Sequence, residues 1–353
     1  MRAAFAPDLF SSSRPKWRQV GLALEGLVRD MDGLLPADYL SSSQPPEQID
    51  GLEINSNNLR LTSASGSKIV LKRYPDTANT SELHKTLGLM AWLADQGLPV
   101  PKPLPFSNGN MSISHGGGEW VLFPFVEGEY FSGSQEELDA AAETVGVLAS
   151  KLSDAPASLR TTRECHHFTT QDDEAIEFVQ KKRGLWTRTF GLDIAELLNN
   201  HWEYVWGEWC RIRINPPDPG PKTLAHLDLH PFNILVKDGK IAALLDFDSC
   251  KMMPTGYALA FGALKQCRQA VARDGRPEMA GFIGSRYVEV LVAANRQAGR
   301  LTKNSCDLAL AEVFRRIALI FRLNIESADK RWNMVLPVQF AHIAECKVLF
   351  PSP

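Results

Sequence analysis

The sequence predicts an α+β protein with two lobes: a small N-terminal lobe built on an antiparallel sheet with one helix, and a larger, mostly helical C-terminal lobe. Short apolar segments separated by turn-rich stretches dominate from about residue 50 to residue 125, which is the pattern of short strands. From Ser134 onward, apolar residues recur mainly at helical spacing. One strand-like pair, near residues 233–245, interrupts this helical region.

Length and composition are compatible with this architecture and exclude several classes of protein. The chain has 353 residues, of which 44% are hydrophobic and 22% charged, so it is long enough for one large domain or two lobes. Its formal net charge of -3 argues against a surface that coats nucleic acid. Apolar runs fall far short of the roughly 20 residues of a membrane helix, and the first residues lack the apolar core of a signal peptide. We therefore expect a cytoplasmic monomer or homodimer, with neither a membrane nor a nucleic acid as its partner.

Residues 1–46 form a predicted helical extension and linker. Apolar residues recur at helical spacing within residues 16–34 and predict an amphipathic helix there; they are Trp17, Val20, Leu24, Leu27, Val28 and Met31. The polar, proline-containing segment 41–46 is typical of a linker. We expect the helix to pack on the main body of the protein, and a partner-binding or dimer helix is the alternative.

The small lobe is predicted to span residues 47–127 and to bind a nucleotide. Its strand-like runs are separated by turn-rich segments such as Asn55-Ser56-Asn57-Asn58. Ser81 is a candidate cap for a helix that ends near Gly97. The predicted strands are Leu52–Ile54, Leu59–Thr62, Lys68–Tyr74, Met111–Ser114 and Trp120–Phe125.

The large lobe is predicted to span residues 128–353. Helices are expected over residues 138–152 and 194–212, and four more between Tyr257 and Phe350. Two short strands lie between these helical regions, at residues 233–236 and 241–245, joined by the turn Lys237-Asp238-Gly239-Lys240.

Six cysteines are scattered along the chain without a Cys-x-x-Cys pair, which favours reduced, packed thiols. Cys165-His166-His167 is the one segment that suggests a metal site. Adjacent residues rarely converge on one ion, so we do not expect a metal there.

The densest polar segment in apolar surroundings runs from His226 to Asn233 and is followed by Asp246-Phe247-Asp248. The predicted hairpin returns Asp246 to the place where Asp228 and Asn233 lie. Phosphoryl transfer needs a carboxylate beside an attacking hydroxyl, and oxygen ligands for the Mg²⁺ that binds the nucleotide phosphates. The pattern therefore favours phosphoryl transfer over a surface hairpin with incidental acids.

The pattern His226-x-Asp228-x-His230-x-x-Asn233, with Asp246-Phe247-Asp248 downstream, resembles the aminoglycoside phosphotransferase and choline kinase superfamily of small-molecule kinases, which have a protein-kinase-like fold. The resemblance implies ATP and Mg²⁺ as cofactors. It makes Asp228 the catalytic base or hydroxyl-orienting residue, and Asn233 and Asp246 ligands of Mg²⁺. Asp248 replaces the glycine of the usual Asp-Phe-Gly; it either binds a second metal or faces solvent. Both histidines are expected to be structural hydrogen-bonding residues.

Lys72, near the end of the third predicted strand, resembles the kinase lysine that neutralises the α- and β-phosphates. Strand alternation places Val70 and Lys72 on one face and Arg73 on the other. Arg73 is the competing candidate, and an exposed strand lysine without a role is the second alternative. By the same resemblance, Glu82 at the start of the following helix is the expected partner of Lys72.

Two other segments resemble nucleotide-binding parts of the superfamily. The chain lacks a Gly-x-Gly-x-x-Gly sequence, and Ser56 and Asn57 in the first turn are expected to cover phosphates instead. An ordinary hairpin turn is the alternative there. Phe125, Val126 and Glu127 lie where the superfamily has its hinge between the lobes, so their backbone groups are expected to bind adenine.

The resemblance also bears on the substrate. Residues 87–105 are similar to bacterial homoserine kinases, whereas Asp246-Phe247-Asp248 with Met253-Pro254 nearby is similar to N-acetylhexosamine kinases. The implied function is phosphorylation of a hydroxyl group on an amino alcohol, a hydroxy amino acid, or a sugar or amino sugar. The alternative is a nucleotide-binding pseudo-kinase scaffold that regulates a partner protein. The supporting features of that alternative are the missing glycine loop, the N-terminal helix and Ala258, where relatives often carry an acid. The presence of Lys72, Asp228, Asn233 and Asp246 favours the enzyme.

Overall fold

A six-stranded antiparallel sheet forms the small lobe in the described part of a computed structural model, which covers residues 14–20, 22–40, 45–49, 57–75 and 79–351. The strand order is β1-β2-β3-β4-β6-β5. These strands are β1 Trp17–Gln19, β2 Glu47–Ile49, β3 Asn57–Thr62, β4 Lys68–Pro75, β5 Ile113–Ser114 and β6 Gly118–Pro124. The predicted strand Leu52–Ile54 lies outside the described residues, and the other four predicted strands are confirmed with shifted ends.

The small lobe carries one long helix, α3, over Thr80–Asp95. Asn79 caps it: the backbone of Asn79 is extended, and its side chain accepts a hydrogen bond of 3.2 Å from the backbone N–H of Glu82. The prediction that Ser81 is the cap is wrong, because Ser81 already lies inside the first turn. Helix α3 therefore begins close to the predicted position.

The N-terminal segment differs from its prediction. The expected helix over residues 16–34 is wrong at its start, because Trp17–Gln19 pairs with β2 as an edge strand. Helix α1 follows at Leu22–Asp30, then a short 3-10 turn and helix α2 at Ala37–Leu40. Val28, Met31 and Leu35 are buried in one cluster with apolar residues of the sheet. Packing on the main body is thus confirmed.

The large lobe is built from helices around one apolar core. The four helices predicted between Tyr257 and Phe350 are confirmed. No helix among the described residues is long and apolar enough to cross a membrane. The helices are α4 Gln135–Asp154, α5 Thr170–Lys181, α6 Trp186–Phe190, α7 Leu192–Ile214, α8 Thr255–Asp274, α9 Ala280–Ala294, α10 Leu301–Ser327 and α11 Leu336–Leu349.

Five short strands belong to the large lobe and carry or flank the polar motifs. The predicted hairpin is confirmed as β9 and β10, and its turn residues Asp238 and Gly239 both have positive φ, as a tight hairpin turn requires. The pair β8 and β11 was not predicted; it joins His226 to Cys250 in antiparallel register. The strands are β7 Glu129–Tyr130, β8 Lys222–His226, β9 Ile234–Lys237, β10 Lys240–Leu244 and β11 Cys250–Pro254.

Candidate active site

The loop after β8 and the hairpin β9–β10 bring the predicted catalytic and metal-binding residues together. Asn233 ends a 3-10 turn before β9, and its side-chain amide donates a hydrogen bond of 2.9 Å to the backbone carbonyl of Asp228. The backbone N–H of Leu245 donates to the Asn233 carbonyl at 2.9 Å, which fixes the start of the Asp246 segment beside the same loop. The local convergence expected from the spacing is therefore observed.

Lys72 reaches this group from the small lobe. Its Nζ lies 3.2 Å from Asp246 Oδ1 and 2.6 Å from Asp248 Oδ2. Burial opposes the charge of the ammonium group, yet the carboxylates of Asp248 and Asp246 raise the pKa of Lys72 well above its ordinary value. Arg73 points away, since its guanidinium donates to the carbonyls of Gly116 and Gly117. Lys72 is thus a cleft residue that meets two predicted metal ligands.

Asp246 is held in an unusual backbone conformation. Its φ of 61° and ψ of 53° lie in the left-handed region, which is disfavoured by about 1–2 kcal/mol for a residue other than glycine. Backbone strain of this kind concentrates at functional sites. The neighbouring carbonyl of Leu245 accepts a hydrogen bond of 2.9 Å from His226 Nε2, so the surrounding structure holds the segment in place.

His226 links the two motifs as a neutral side chain. While its Nε2–H donates to Leu245, its Nδ1 accepts from the backbone N–H of Asp228 at 3.2 Å. Burial lowers the pKa of His226, so the imidazole stays uncharged at neutral pH. This arrangement agrees with the structural role expected from the sequence.

Asp228 presents a half-buried carboxylate between the guanidinium of Arg316 and the imidazole of His230. Arg316 Nη2 lies 3.2 Å from Oδ1, and His230 Nε2 lies 3.6 Å from Oδ2. Burial disfavours the charge, but His230 and Arg316 lower the pKa of Asp228 below its ordinary value. The group is therefore ionised and able to accept a hydrogen bond from a hydroxyl. Arg316 lies on α10 and has no recognisable motif around it, so it was not predicted from the sequence.

The predicted pairing of Lys72 with Glu82 is wrong. Glu82 turns toward the segment after α4, where Thr161 Oγ1 and Thr162 Oγ1 donate to its carboxylate, and Lys85 Nζ lies at 2.9 Å. Although burial works against the charge, these hydrogen bonds lower the pKa of Glu82 to about 2. Glu82 sits in the first turn of α3, so its side chain follows that turn toward the large lobe while Lys72 meets Asp246 and Asp248.

The expected phosphate-covering turn is only partly described. Ser56 lies outside the described residues. Asn57 belongs to β3, where its backbone is in register with Arg73, and Asn58 is in register with Lys72. The prediction of a turn is therefore wrong at Asn57, because strand pairing with β4 extends to that residue.

The expected hinge follows β6 and has an aromatic neighbour that sequence reasoning missed. The Phe125 ring lies edge-to-face with Trp17 of β1, with ring centroids 5.9 Å apart. The guanidinium of Arg60 lies 5.0 Å from the Trp17 ring and 5.5 Å from the Phe125 ring. Glu127 pairs with Lys68 at 3.0 Å. Val126, between Phe125 and Glu127 in the sequence, is half-buried. Arg60 shares the Lys72 face of the sheet by strand alternation.

Comparison with known proteins identifies the family. The model of the phosphotransferase enzyme family matches residues 47–288. The chain belongs to this family. The match includes the lysine strand, the hinge and both polar motifs, so the geometry above is that of a phosphotransferase-family protein.

Curated relatives are homoserine kinases from rhizobia. The chain is 27% identical over 194 residues to homoserine kinase of Sinorhizobium fredii, and 26% identical over 194 residues to that of Rhizobium meliloti. Each match covers 55% of this chain and 55% of the relative. The matched region thus spans about half the length of these curated relatives.

Solved structures share the fold over nearly the whole chain. Spectinomycin phosphotransferase in complex with ADP and spectinomycin has a TM-score of 0.62 at 12% identity, covering 95% of this chain and 99% of that one. Amicoumacin kinase in complex with AMP-PNP, Ca²⁺ and Ami has a TM-score of 0.59 at 14% identity, covering 93% of this chain and 95% of that one. At these identities the likeness shows the bilobal kinase-like fold, which confirms the predicted fold class.

Proposed function

We propose that this family member is an ATP- and Mg²⁺-dependent kinase that phosphorylates a hydroxyl group of a small metabolite. The acceptor is an amino alcohol, a hydroxy amino acid, or a sugar or amino sugar. One observation carries the proposal: Lys72 of the small lobe meets Asp246 and Asp248 of the large lobe across the cleft, beside Asp228. That arrangement is what transfer of a phosphoryl group between a nucleotide and a hydroxyl requires.

In this proposal, residues 47–127 hold the nucleotide against the large lobe of residues 128–353. Lys72 neutralises phosphate charge, and the segment Phe125–Glu127 receives the adenine. The related structures support a nucleotide site, since one holds ADP and another holds AMP-PNP with Ca²⁺. Glu82 is not assigned to the nucleotide, because its carboxylate is engaged by Thr161 and Thr162.

Mg²⁺ would be held by Asn233 and Asp246, with Asp248 as a further ligand. The donor set fits a hard cation, which prefers carboxylate and amide oxygens. Asn233 directs its amide nitrogen to the Asp228 carbonyl, which leaves its side-chain oxygen available as a ligand. When bound, the ion neutralises charge on the transferred phosphoryl group.

Asp228 would orient the acceptor hydroxyl and take its proton. Arg316 and His230 keep this carboxylate ionised, and the loop after β8 fixes its position. Catalysis in phosphoryl transfer comes mainly from such positioning and from electrostatic stabilisation, so little else is required of the protein. Lys72 spreads the phosphate charge from the other side of the cleft.

A nucleotide-binding scaffold that regulates a partner is the second candidate. One observation favours the scaffold. Lys72 forms ion pairs with both Asp246 and Asp248, the two carboxylates that the kinase proposal assigns to the metal. An ADP-release assay over pools of amino alcohols, hydroxy amino acids and amino sugars separates the two candidates. Turnover stimulated by one pool supports the kinase, whereas binding of Mg-ATP without stimulated turnover by any pool supports the scaffold.

A further inference from the structure

A cluster of four cationic side chains lies beside Asp228 on its large-lobe side; we call it the cationic cluster, and it consists of Arg163, Lys251, Arg315 and Arg316. Its centre is Glu312, a fully buried carboxylate of α10. One oxygen of Glu312 accepts from Arg315 Nη2 and from Arg316 Nε, each at 2.8 Å. A single buried carboxylate therefore forms ion pairs with two arginines.

Lys251 has no such partner. It lies on β11, and the segment containing Arg163 runs beside that strand, with the Met252 N–H donating to the Arg163 carbonyl at 2.9 Å. Lys251 forms no ion pair with any residue that the structure describes. Its half-burial, and after it the like charges of Arg315 and Arg163, lower the pKa of Lys251. Lys251 is thus a half-buried amine without a direct ion-pair partner among the described residues, and an anionic ligand would stabilise its charged form.

The guanidinium of Arg163, on the segment beside β11, includes a donor without a hydrogen-bond acceptor among the described residues. Its Nε donates to Thr161 Oγ1 at 3.1 Å, and its nearest carboxylate, that of Glu82, is 3.8 Å away. The buried Nη2 atom of Arg163 has no hydrogen-bond partner among the described residues. Buried donors are normally satisfied, so an unsatisfied one on the segment that runs beside the Lys251 strand indicates where an anionic ligand binds.

The cationic cluster is joined to Asp228 through Arg316. Arg316 connects the two places, because its guanidinium contacts both Asp228 Oδ1, at 3.2 Å, and Glu312. We infer that the acceptor carries a carboxylate in addition to its hydroxyl group, and that Lys251 and Arg163 bind this carboxylate. The inference rests on the kinase function proposed above. The substrate class is therefore a hydroxy acid, such as a hydroxy amino acid, rather than an acceptor with only amines or neutral groups.

A panel of matched acceptors tests the inference on the whole protein. Each hydroxy acid is compared with its own primary amide, which keeps the hydroxyl and removes the charge. We expect kcat/KM to be about ten- to hundredfold higher for the acid, the range of a charge-assisted hydrogen bond. Equal or better use of the amides overturns the inference and leaves the kinase proposal intact.

Binding provides a readout that does not depend on turnover. Calorimetric titration of the same acids and amides into the protein with Mg-AMP-PNP should show at least tenfold tighter binding of one or more acids. Binding of such an acid without any phosphorylation would refute the kinase proposal alone. Absence of any acid that binds better than its amide would refute the inference about the carboxylate.

Variants at Lys251 test whether the cationic cluster causes the preference for an acid over its amide. Lys251→Met should raise KM for the acid about ten- to hundredfold, with KM for ATP and for the amide unchanged, and Lys251→Arg should restore most of the loss. Lys240→Met removes an exposed lysine of β10 and is the matched control. An equal effect of Lys251→Met on acid and amide would contradict direct recognition of the carboxylate, and an effect on KM for ATP would assign the cluster to the nucleotide instead.

Discussion

Replacement of Arg316 by glutamine should change how the activity depends on pH. Arg316 Nη2 lies 3.2 Å from Asp228 Oδ1. Because the Asp228 side chain is partly exposed, a water-like dielectric applies, and two unit charges at this distance interact by about 1.3 kcal/mol. Arg316→Gln should therefore raise the pKa of Asp228, which His230 and Arg316 lower in the native protein.

The sign of the effect on catalysis follows directly. Asp228 accepts a proton only when it is ionised, so activity falls as the pH drops through its pKa. With the pKa raised, the acid limb of kcat/KM should move to higher pH, and the variant should lose more activity at pH 5 than at pH 8. The assay is ADP release between pH 4.5 and 8.5, with the best acceptor from the screen.

A control on the same helix separates charge from packing. Arg322 lies on α10 and contacts Glu326 rather than Asp228, so Arg322→Gln should leave the acid limb in place. Melting temperatures of both variants show whether the fold is retained. A uniform loss of activity in Arg316→Gln, with the acid limb unmoved, would refute the claim that Arg316 acts on the charge of Asp228.

Three other predictions concern the base, the metal and the N-terminal helix. Asp228→Asn should lower turnover at least about a hundredfold with ATP affinity retained by calorimetry, and full activity would contradict its role as base. Asp246→Ala should weaken the Mg²⁺ dependence of ATP binding, and an unchanged metal titration would count against its role as ligand. Met31 is fully buried between α1 and the sheet, so Met31→Ala should reduce the free energy of unfolding by about 2–5 kcal/mol. A denaturant midpoint equal to that of the native protein would show that this contact is not formed in solution.

The parts of the site that the sequence predicted are those that local geometry determines. Asp228, Asn233 and Asp246 lie within nineteen consecutive residues, and the four-residue turn at residues 237–240 leaves one way for the hairpin to return. Strand alternation likewise decided between Lys72 and Arg73, since adjacent strand residues face opposite sides. In each case, spacing along the chain fixes position in space.

The parts that the sequence did not predict depend on long-range packing. Arg316 follows Asp228 by 88 positions, and nothing in the pattern of α10 distinguishes it from the neighbouring arginines. Trp17–Gln19 continues a helical pattern, but pairing with the edge of the sheet prevails over local periodicity. Glu82 was assigned by its position after the lysine strand, whereas the contacts of α3 with residues 161–162 decide where its carboxylate goes.

Glu312 connects the catalytic base to the recognition proposed for the acceptor. Burial disfavours its charge, yet Arg315 and Arg316 hold the pKa of Glu312 well below its usual range. Removing one partner from a buried ion pair costs about 3–5 kcal/mol, so Glu312 fixes both arginines firmly. Lys251, by contrast, forms no ion pair with Glu312 or any other described residue. A change of acceptor class can therefore proceed through Lys251 without disturbing the arginine that keeps the base ionised, because that arginine is anchored to the buried carboxylate and Lys251 is not.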